Sequence, residues 1–271
     1  MFSNLKPTLT IRVNTLKTTK EELLDKFKER NIQYEDAILK DFIILKKAKN
    51  IENLDIFKQG LFTIQDEAAG LAARTLGVTP NDRVLDACSA PGGKTTYLAE
   101  IMENQGEILA WDIHEHRTKL VDETAKRLGI SIIKTEVKDA SVFNPEYTEK
   151  FDKILLDVPC LGIGVLKRKP DIKWRKNRED VDEITLLQKD ILETCSKYLK
   201  TGGFLVYSTC SILKQENSDV IEWFLNKNPN FEIATFNIED FYKQYYQNNG
   251  YVQVYQNEKS DGFFICKLTK R

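Results

Sequence analysis

Two cysteines stand where apolar segments with the composition of buried strands come to an end. The segment "KILLDVP" leads into Cys160, and "GGFLVYST" leads into Cys210. A cysteine attacks carbon centres only as a thiolate, which requires access and a lowered pKa, and the end of a strand offers access. A free cysteine is more often a small buried apolar residue. The two positions therefore predict either a pair of reactive thiols or ordinary packing.

Acidic residues mark the ends of three predicted strands. Asp112 ends "GEILAWD", Asp139 follows "ISIIKTEV", and Asp157 ends "KILLD". In an open parallel sheet the carboxyl ends of the strands form the ligand-binding edge, where an acid after the second strand commonly binds ribose hydroxyls. A helix-capping role explains Asp112 equally well. An acidic edge favours a cofactor that carries positive charge, such as a sulfonium, over one that carries phosphates.

A turn that contains glycines joins the first of these strands to a helix. It reads "CSAPGGK", residues 88–94, and its end is similar to a phosphate-binding P-loop. The P-loop pattern requires a glycine where this chain has Cys88, so nucleotide hydrolysis is disfavoured. At such a junction a glycine-rich turn lets the backbone approach a small cofactor closely.

A basic segment, "KRKPDIKWRKNR", occupies residues 167–178, soon after Cys160. It contains seven Lys or Arg residues, one Asp and an interleaved tryptophan. Such a segment is often only a solvated loop. Cations beside an aromatic ring also suit an RNA strand, through phosphate contacts and base stacking. The predicted RNA contacts are Lys167, Arg168, Lys169, Lys173, Trp174 and Arg175.

The elements that would hold these residues alternate between strands and helices from residue 81 onwards. Short apolar strands between helices predict an α/β fold, a doubly wound and mostly parallel sheet. The tail, "GYVQVYQNEKSDGFFICKL", predicts two strands at an antiparallel edge. Residues 1–60 predict a small strand–helix–strand unit, whose helix begins after Thr18 or Thr19, packed on a larger domain at 61–271. A further helix is predicted to end at Gly77.

Composition excludes several classes of protein. The chain has 271 residues and a net charge of −1, with 41% hydrophobic and 30% charged residues, as expected of a globular protein. No apolar run approaches the roughly 20 residues of a membrane helix, and nothing resembles a signal peptide. Five cysteines without CxxC spacing, and two histidines, predict free thiols in a reducing cytoplasm and no metal site. Cys88, Cys195 and Cys266 are expected to serve packing.

Three long motifs resemble a known enzyme family. "LDACSAPGGKTTYLAE", "LLDVPCLGIGVLKRKPDIKW" and "YSTCSILKQEN" are similar to signature motifs of the RsmB/Nop2/Sun family of RNA cytosine-5 methyltransferases, in the same order and spacing. The resemblance implies a Rossmann-like domain with a mostly parallel seven-stranded sheet that binds S-adenosylmethionine. It also implies that the small α/β subdomain in front binds RNA. The substrate implied is a cytosine in RNA, with 16S rRNA favoured over tRNA.

The resemblance also implies individual roles. Cys210 would add to C6 of the cytosine, Cys160 would aid product release, and Asp157 would lie beside the methionine end of the cofactor and the target base. Asp112 would hold the ribose, and Asp139 would lie by the adenine. The cofactor turn would comprise Cys88, Ser89, Ala90, Pro91, Gly92, Gly93 and Lys94. A tRNA enzyme or a non-catalytic RNA-binding module with the same fold are the alternatives.

Overall fold

The computed structural model describes residues 8–46, 50–175, 177–246, 250–256 and 260–271, without the side chains of Lys173 and Arg175. These residues form two β-sheets with helices packed on them. The strands are β1 (Leu9–Val13), β2 (Gln33–Asp36), β3 (Phe42–Lys46), β4 (Phe62–Ile64), β5 (Arg83–Asp86), β6 (Glu107–Asp112), β7 (Ile133–Val137), β8 (Phe151–Asp157), β9 (Leu199–Thr209), β10 (Phe231–Ile233), β11 (Tyr251–Val254) and β12 (Phe263–Lys270). The helices are α1 (Lys20–Glu29), α2 (Asp55–Lys58), α3 (Glu67–Leu76), α4 (Gly93–Ile101), α5 (Glu115–Leu128), α6 (Ile172–Arg175), α7 (Arg178–Ser196), α8 (Ser218–Lys227) and α9 (Asp240–Lys243).

The first sheet is antiparallel, in the order β2-β3-β1-β4, and helix α1 packs on it. Thr19 begins α1 with a capping box, in which its side chain and that of Glu22 each accept a backbone N–H of the other residue. Leu23 and Phe27 of α1 are fully buried. The sheet extends to Ile64, so the predicted boundary at residue 60 falls just before its last strand.

The second sheet confirms the α/β prediction. Strands β7, β6, β5, β8 and β9 are parallel neighbours in that order. Helices α3, α4 and α5 contribute Leu71, Leu98 and Leu128 to one apolar layer, whereas α7 and α8 contribute to a separate layer. The sheet is therefore doubly wound. No helix among the described residues is long and apolar enough to cross a membrane.

The tail forms the antiparallel end of the second sheet. Strand β12 lies inside the sheet, antiparallel to β9 on one side and to both β10 and β11 on the other. The two antiparallel strands predicted for the tail are present as β11 and β12, and β12, whose first six residues are all buried, is the inner strand of the pair. The sheet thus has seven positions across, with β10 and β11 sharing the position beyond β12.

A buried arginine docks the first sheet onto the second domain. Arg12 of β1 is fully buried and forms an ion pair with Glu100 of α4, with a closest distance of 2.7 Å. Its guanidinium also donates to the carbonyl of Gly93 at 2.7 Å, to Thr96 Oγ1 at 3.1 Å and to Gln65 Oε1. One side chain of the small subdomain therefore holds the first turn of α4, where the glycine-containing turn ends.

Candidate active site

The ends of β8 and β9 bring the two cysteines together. The strands are parallel neighbours in which Asp157 pairs with Ser208, so the residues that follow both strands emerge at the same edge. Cys160 and Cys210 are half-buried there, with a Cα–Cα distance of 6.4 Å, and their sulfur atoms are bonded to each other. The structure thus joins the two residues that the sequence singled out.

This bond differs from the sequence-based expectation of free thiols. Sequence spacing cannot show it, because Cys160 and Cys210 lie 50 residues apart and meet only through the pairing of two strands. Their Cα separation falls within the range of about 4.4–6.8 Å that a disulfide requires. A sulfur atom in a disulfide cannot act as the attacking thiolate. The form able to carry out nucleophilic chemistry is therefore the reduced one.

The three remaining cysteines are poor nucleophiles. Burial raises the pKa of Cys88 well above its usual value, and nearby acids and the thiol of Cys195 raise it further. Burial likewise raises the pKa of Cys195 and of Cys266. A neutral thiol attacks carbon far more slowly than a thiolate. Cys195 and Cys266 are buried in the apolar core, as expected of packing residues, and Cys88 is half-buried against it.

Asp157 occupies the centre of the site. Lys94 Nζ lies 2.7 Å from Asp157 Oδ2, and the hydroxyl of Ser208 donates to Oδ1 at 2.9 Å. The Asp157 side chain is 29% exposed, so it is held on two sides while part of it faces solvent. Lys94 comes from the start of α4 and Ser208 from β9. Two separate elements therefore orient this carboxylate.

Hydrogen bonds from Ser89 hold the glycine-containing turn against strand β6 of the second sheet. The backbone N–H and the hydroxyl of Ser89 both donate to the carbonyl of Trp111 in β6, at 2.8 and 2.9 Å. Gly92 precedes α4 with φ 99°, a conformation that favours glycine, and a Cβ there would lie 3.1 Å from Val121 Cα. The turn thus approaches both β6 and α5 closely, which only a glycine at position 92 allows.

Asp112 is held by contacts at the start of α5, and its role as a ribose ligand stays a prediction. Its Oδ1 accepts the backbone N–H of His114 at 3.0 Å, where α5 begins, and its Oδ2 lies 3.1 Å from a guanidinium nitrogen of Arg117. Arg117 also donates to the carbonyl of Ala90 in the glycine-containing turn. Asp139, by contrast, is exposed and accepts two hydrogen bonds from Ser141.

Two adjoining cavities border these residues. The larger has a volume of about 270 Å³, with Asp112, Asp139, Asp157, Cys160 and Cys210 in its wall. The smaller, of about 200 Å³, is bordered by residues of the turn and shares Cys88, Ala90 and Asp157 with the larger. Among the predicted cofactor residues, Gly92 borders neither of these cavities, and its role is conformational. The arrangement suits an elongated ligand that passes Asp157.

The cavity walls also contain residues that the sequence did not single out. Ile113, Leu187 and Ile191 supply apolar surface to the larger cavity, and Gln65 borders the smaller one. Ile113 directly follows Asp112 and is 54% exposed, an apolar residue next to a predicted ribose ligand. Its position next to Asp112 was the feature of the sequence that could have identified Ile113 as a cavity residue. Leu187 and Ile191 lie on α7, and only the packing of that helix brings them here.

The smaller cavity contains a buried carboxyl group that suits a cationic ligand group. Asp86 is 1% exposed, and its Oδ2 accepts the hydroxyl of Thr95 at 2.7 Å. Its Oδ1 has no hydrogen-bond partner among the described residues. Burial raises the pKa of Asp86 to about 7, and the neighbouring Asp157 contributes to the increase. Asp86 and Asp112 would thus fit a ligand that carries both an ammonium group and hydroxyl groups, as S-adenosylmethionine does.

The basic segment is only partly available for RNA. Trp174 is 89% exposed, and Lys169, five residues earlier, is also exposed. Arg168, however, forms ion pairs with Asp66 at 2.8 Å and with Asp261 at 2.5 Å. Its charge is therefore already paired within the fold. Lys167 Nζ donates to a backbone carbonyl at 3.3 Å, and the side chains of Lys173 and Arg175 lie outside the described part of the chain.

Comparison with known proteins assigns the family. A family model described as "16S rRNA methyltransferase RsmB/F" matches residues 73–269, and a model of the ferredoxin-like domain of RsmF/B-like proteins matches residues 2–52. The first match covers both cysteines and every residue that lines the larger cavity. Membership of a methyltransferase family confirms the predicted cofactor, S-adenosylmethionine.

Individual relatives agree with this assignment. "Probable ribosomal RNA small subunit methyltransferase B" of Bacillus subtilis (strain 168) is 38% identical over 98% of this chain and 60% of its own length. "Ribosomal RNA small subunit methyltransferase B" of Klebsiella pneumoniae (strain 342) is 37% identical over 99% and 61%. A methyltransferase homolog from Pyrococcus horikoshii superposes with a TM-score of 0.85 at 28% identity, over 100% of this chain and 88% of that structure. The chain, which spans about 60% of the length of these two curated relatives, belongs to the RsmB/F family of 16S rRNA methyltransferases.

Proposed function

We propose that this protein transfers a methyl group from S-adenosylmethionine to C5 of a cytosine in 16S rRNA, through a covalent bond between Cys210 and C6. The observation that carries the proposal is the meeting of Cys160, Cys210 and Asp157 in the wall of one cavity. The choice of rRNA rests on the names of the relatives. The proposal places the reaction in the cytoplasm.

The chemistry requires a nucleophile because C5 of cytosine attacks carbon poorly. Addition of the Cys210 thiolate to C6 would convert C5 into an enamine-like carbon, which splits one difficult step into two easier ones. The position of Cys210 beyond the end of β9 leaves it half-buried and next to the cavity. The bound cofactor supplies an electrophilic methyl group to the activated carbon.

Asp157 and Cys160 have the remaining roles in this proposal. Lys94 and Ser208 orient Asp157. Asp157 would form a hydrogen bond with the N3 edge of the base and so stabilise the charge that develops on the ring. After methyl transfer the C5 proton leaves and the bond between Cys210 and C6 breaks. Cys160, whose thiol lies beside Cys210 in the reduced protein, would assist that release by general acid–base action.

A direct test supplies the protein with RNA. Reduced protein would be incubated with S-adenosylmethionine and unmodified 16S rRNA, small ribosomal subunits or tRNA, and the RNA would be sequenced after bisulfite treatment. We expect one protected cytosine in 16S rRNA. Protection in tRNA alone would assign the alternative substrate. Methyl incorporation without a protected cytosine would refute the C5 assignment, and RNA binding without any methylation would favour the non-catalytic module.

We predict that Asp112→Ala weakens the binding of S-adenosylmethionine by about 1–3 kcal/mol, because hydroxyl groups of the ligand then lack a buried acceptor. Titration calorimetry on the folded variant measures this. Asp139→Ala, at the exposed position, is the comparison and should have a smaller effect, since solvent can replace its hydrogen bonds. An Asp112→Ala affinity equal to that of the wild type would remove Asp112 from the ribose role.

For the basic segment we predict different effects from Lys169 and Trp174, which are both exposed. Lys169→Ala should reduce the slope of log affinity against log salt by about 0.7–0.9 if it contacts one phosphate. Trp174→Ala should weaken RNA binding by about 1–3 kcal/mol with the slope unchanged, because base stacking releases no counterions. Filter binding at several salt concentrations measures both.

The control for these variants is Lys119→Ala on α5, which removes an exposed lysine paired with Glu115. Arg168 is not substituted in this test, because its loss would leave the buried Asp261 and the half-buried Asp66 without their cation. Equal salt slopes for Lys169→Ala and the wild type would show that Lys169 contacts no phosphate.

A further inference from the structure

Glu216 is a fully buried glutamate that contacts the loops after both cysteines. Its Oε2 accepts the backbone N–H of Leu161, the residue after Cys160, at 2.9 Å. Its Oε1 accepts the hydroxyl of Ser211, the residue after Cys210. A single side chain is therefore hydrogen-bonded to the immediate neighbour of each cysteine.

A second side chain extends this contact to the other flank of Cys160. Gln188 of α7 is fully buried, and its Nε2 donates to Glu216 Oε2 at 3.0 Å and to the carbonyl of Pro159 at 2.8 Å. The backbone is thus held at Pro159 and at Leu161, on both sides of Cys160. Glu216 accepts hydrogen bonds from both Gln188 and Leu161, so its carboxyl group holds the loop that carries Cys160 in place.

The position of Glu216 is itself fixed by the fold. Its backbone carbonyl accepts the hydroxyl of Tyr207 in β9 at 2.7 Å. The next residue, Asn217, accepts the hydroxyl of Thr209 at 2.6 Å and donates to the carbonyl of Ser211 at 3.0 Å. The turn that carries Glu216 is therefore anchored to β9, the strand that leads into Cys210. From this anchor the carboxyl group reaches across to the Cys160 loop.

We propose that Glu216 is a positioning residue that holds the Cys160 and Cys210 loops at the separation that their shared chemistry requires. The catalytic part of this inference rests on the function proposed above, but the geometric part does not. The Cα–Cα distance of 6.4 Å is near the upper end of the range in which two cysteines can bond. A loop displacement of about half an ångström would take the pair outside that range.

The chemistry of the site explains why a carboxylate is suitable. Three donors converge on it, from Leu161, Ser211 and Gln188. An ionised carboxyl group is an acceptor at both oxygens, whereas an amide has one acceptor and one donor group. Glu216→Gln would therefore direct an NH₂ group at one of the three donors. At a fully buried position that leaves hydrogen-bonding groups unpaired, which moves one loop away from the other.

The test measures how readily the two cysteines pair. The reduced protein, without RNA or cofactor, is equilibrated with mixtures of oxidised and reduced glutathione, and free thiols are counted by alkylation and mass spectrometry. In this exchange two protein thiols and one glutathione disulfide give one protein disulfide and two glutathione thiols. We expect Glu216→Gln to lower the equilibrium constant for the protein disulfide about tenfold or more.

Glu222→Gln, an exposed glutamate on α8, is the matched control and should give the wild-type constant. A wild-type constant in folded Glu216→Gln would overturn the proposal. Should Glu216→Gln fail to fold, Ser211→Ala replaces it, since it removes the donor beside Cys210 and otherwise only an acceptor for the backbone N–H of Leu213. It must shift the constant in the same direction, and an unchanged constant in the folded Ser211→Ala protein would overturn the proposal equally.

A second measurement separates positioning from general stability. In methylation assays under reducing conditions, Glu216→Gln should lower kcat while KM for S-adenosylmethionine stays at the wild-type value, because Glu216 is not among the residues that border the two cavities. A higher KM for S-adenosylmethionine with an unchanged kcat would contradict a positioning role. If the wild type methylates no RNA, the proposed function fails, but the glutathione result still decides whether Glu216 sets the cysteine geometry.

Discussion

Cys210→Ala should abolish methyl transfer and form no covalent complex with RNA, whereas Cys160→Ala should accumulate one. Removal of the nucleophile blocks the first step, but removal of a release catalyst lets the covalent intermediate build up after methyl transfer. The trapped species would survive denaturing electrophoresis and would require S-adenosylmethionine. The assay needs a reductant, because the cysteines are bonded to each other in the structure and neither is then available for attack.

The same gel can assign the two roles in the opposite sense. A stable band with Cys210→Ala and none with Cys160→Ala would make Cys160 the nucleophile. No band with either variant would leave the release role of Cys160 without support. Cys195→Ala is the control, because this buried thiol lies on α7 with its pKa raised by burial. It should methylate RNA like the wild type if it folds, and form no stable adduct.

Arg12→Met should cost about 3–5 kcal/mol in free energy of unfolding, because it leaves the carboxyl group of Glu100 buried without its cation. Both side chains of this pair are at most 1% exposed, so water cannot replace the lost partner. Burial already raises the pKa of Glu100 even with Arg12 in place, and the arginine opposes that rise. Urea denaturation measures the effect.

A double variant and a surface variant test the explanation. Arg12→Met combined with Glu100→Gln should be more stable than Arg12→Met alone, since no unpaired charge stays buried. Lys119→Met, which removes an exposed ion pair on α5, should leave the free energy of unfolding close to the wild-type value. If Arg12→Met and Lys119→Met unfold at the same urea concentration, the buried pair does not hold the two domains together.

Local signals in the sequence predicted most of the elements. The capping residue Thr19, the terminating Gly77 and the apolar parallel strands each depend on residues close together in the chain. The interior position of β12 depends instead on pairing with β9, more than fifty residues earlier, which local patterns do not contain. Strand β10, with three residues, is too short to give a recognisable alternation.

The site shows the same division between local and distant causes. Strand ends located the cysteines and the acids, because parallel strands expose their carboxyl ends together. The sequence did not single out Arg12, because both faces of β1 are buried only through packing, one against α1 and the other against α4. Arg168 was assigned to RNA from its basic neighbours, whereas its partners, Asp66 and Asp261, are distant in the chain.

The interior position of β12 has a consequence for synthesis of the protein. Strands β5 to β9 are all made before residues 263–270 leave the ribosome, yet the long strand β9 stays open along one side until they do. An open strand edge can pair with another chain, and domains begin to fold while they are still being made. Nascent chains should therefore be most prone to aggregate just before β12 emerges. Ribosome pausing in that interval would lower the yield of native protein.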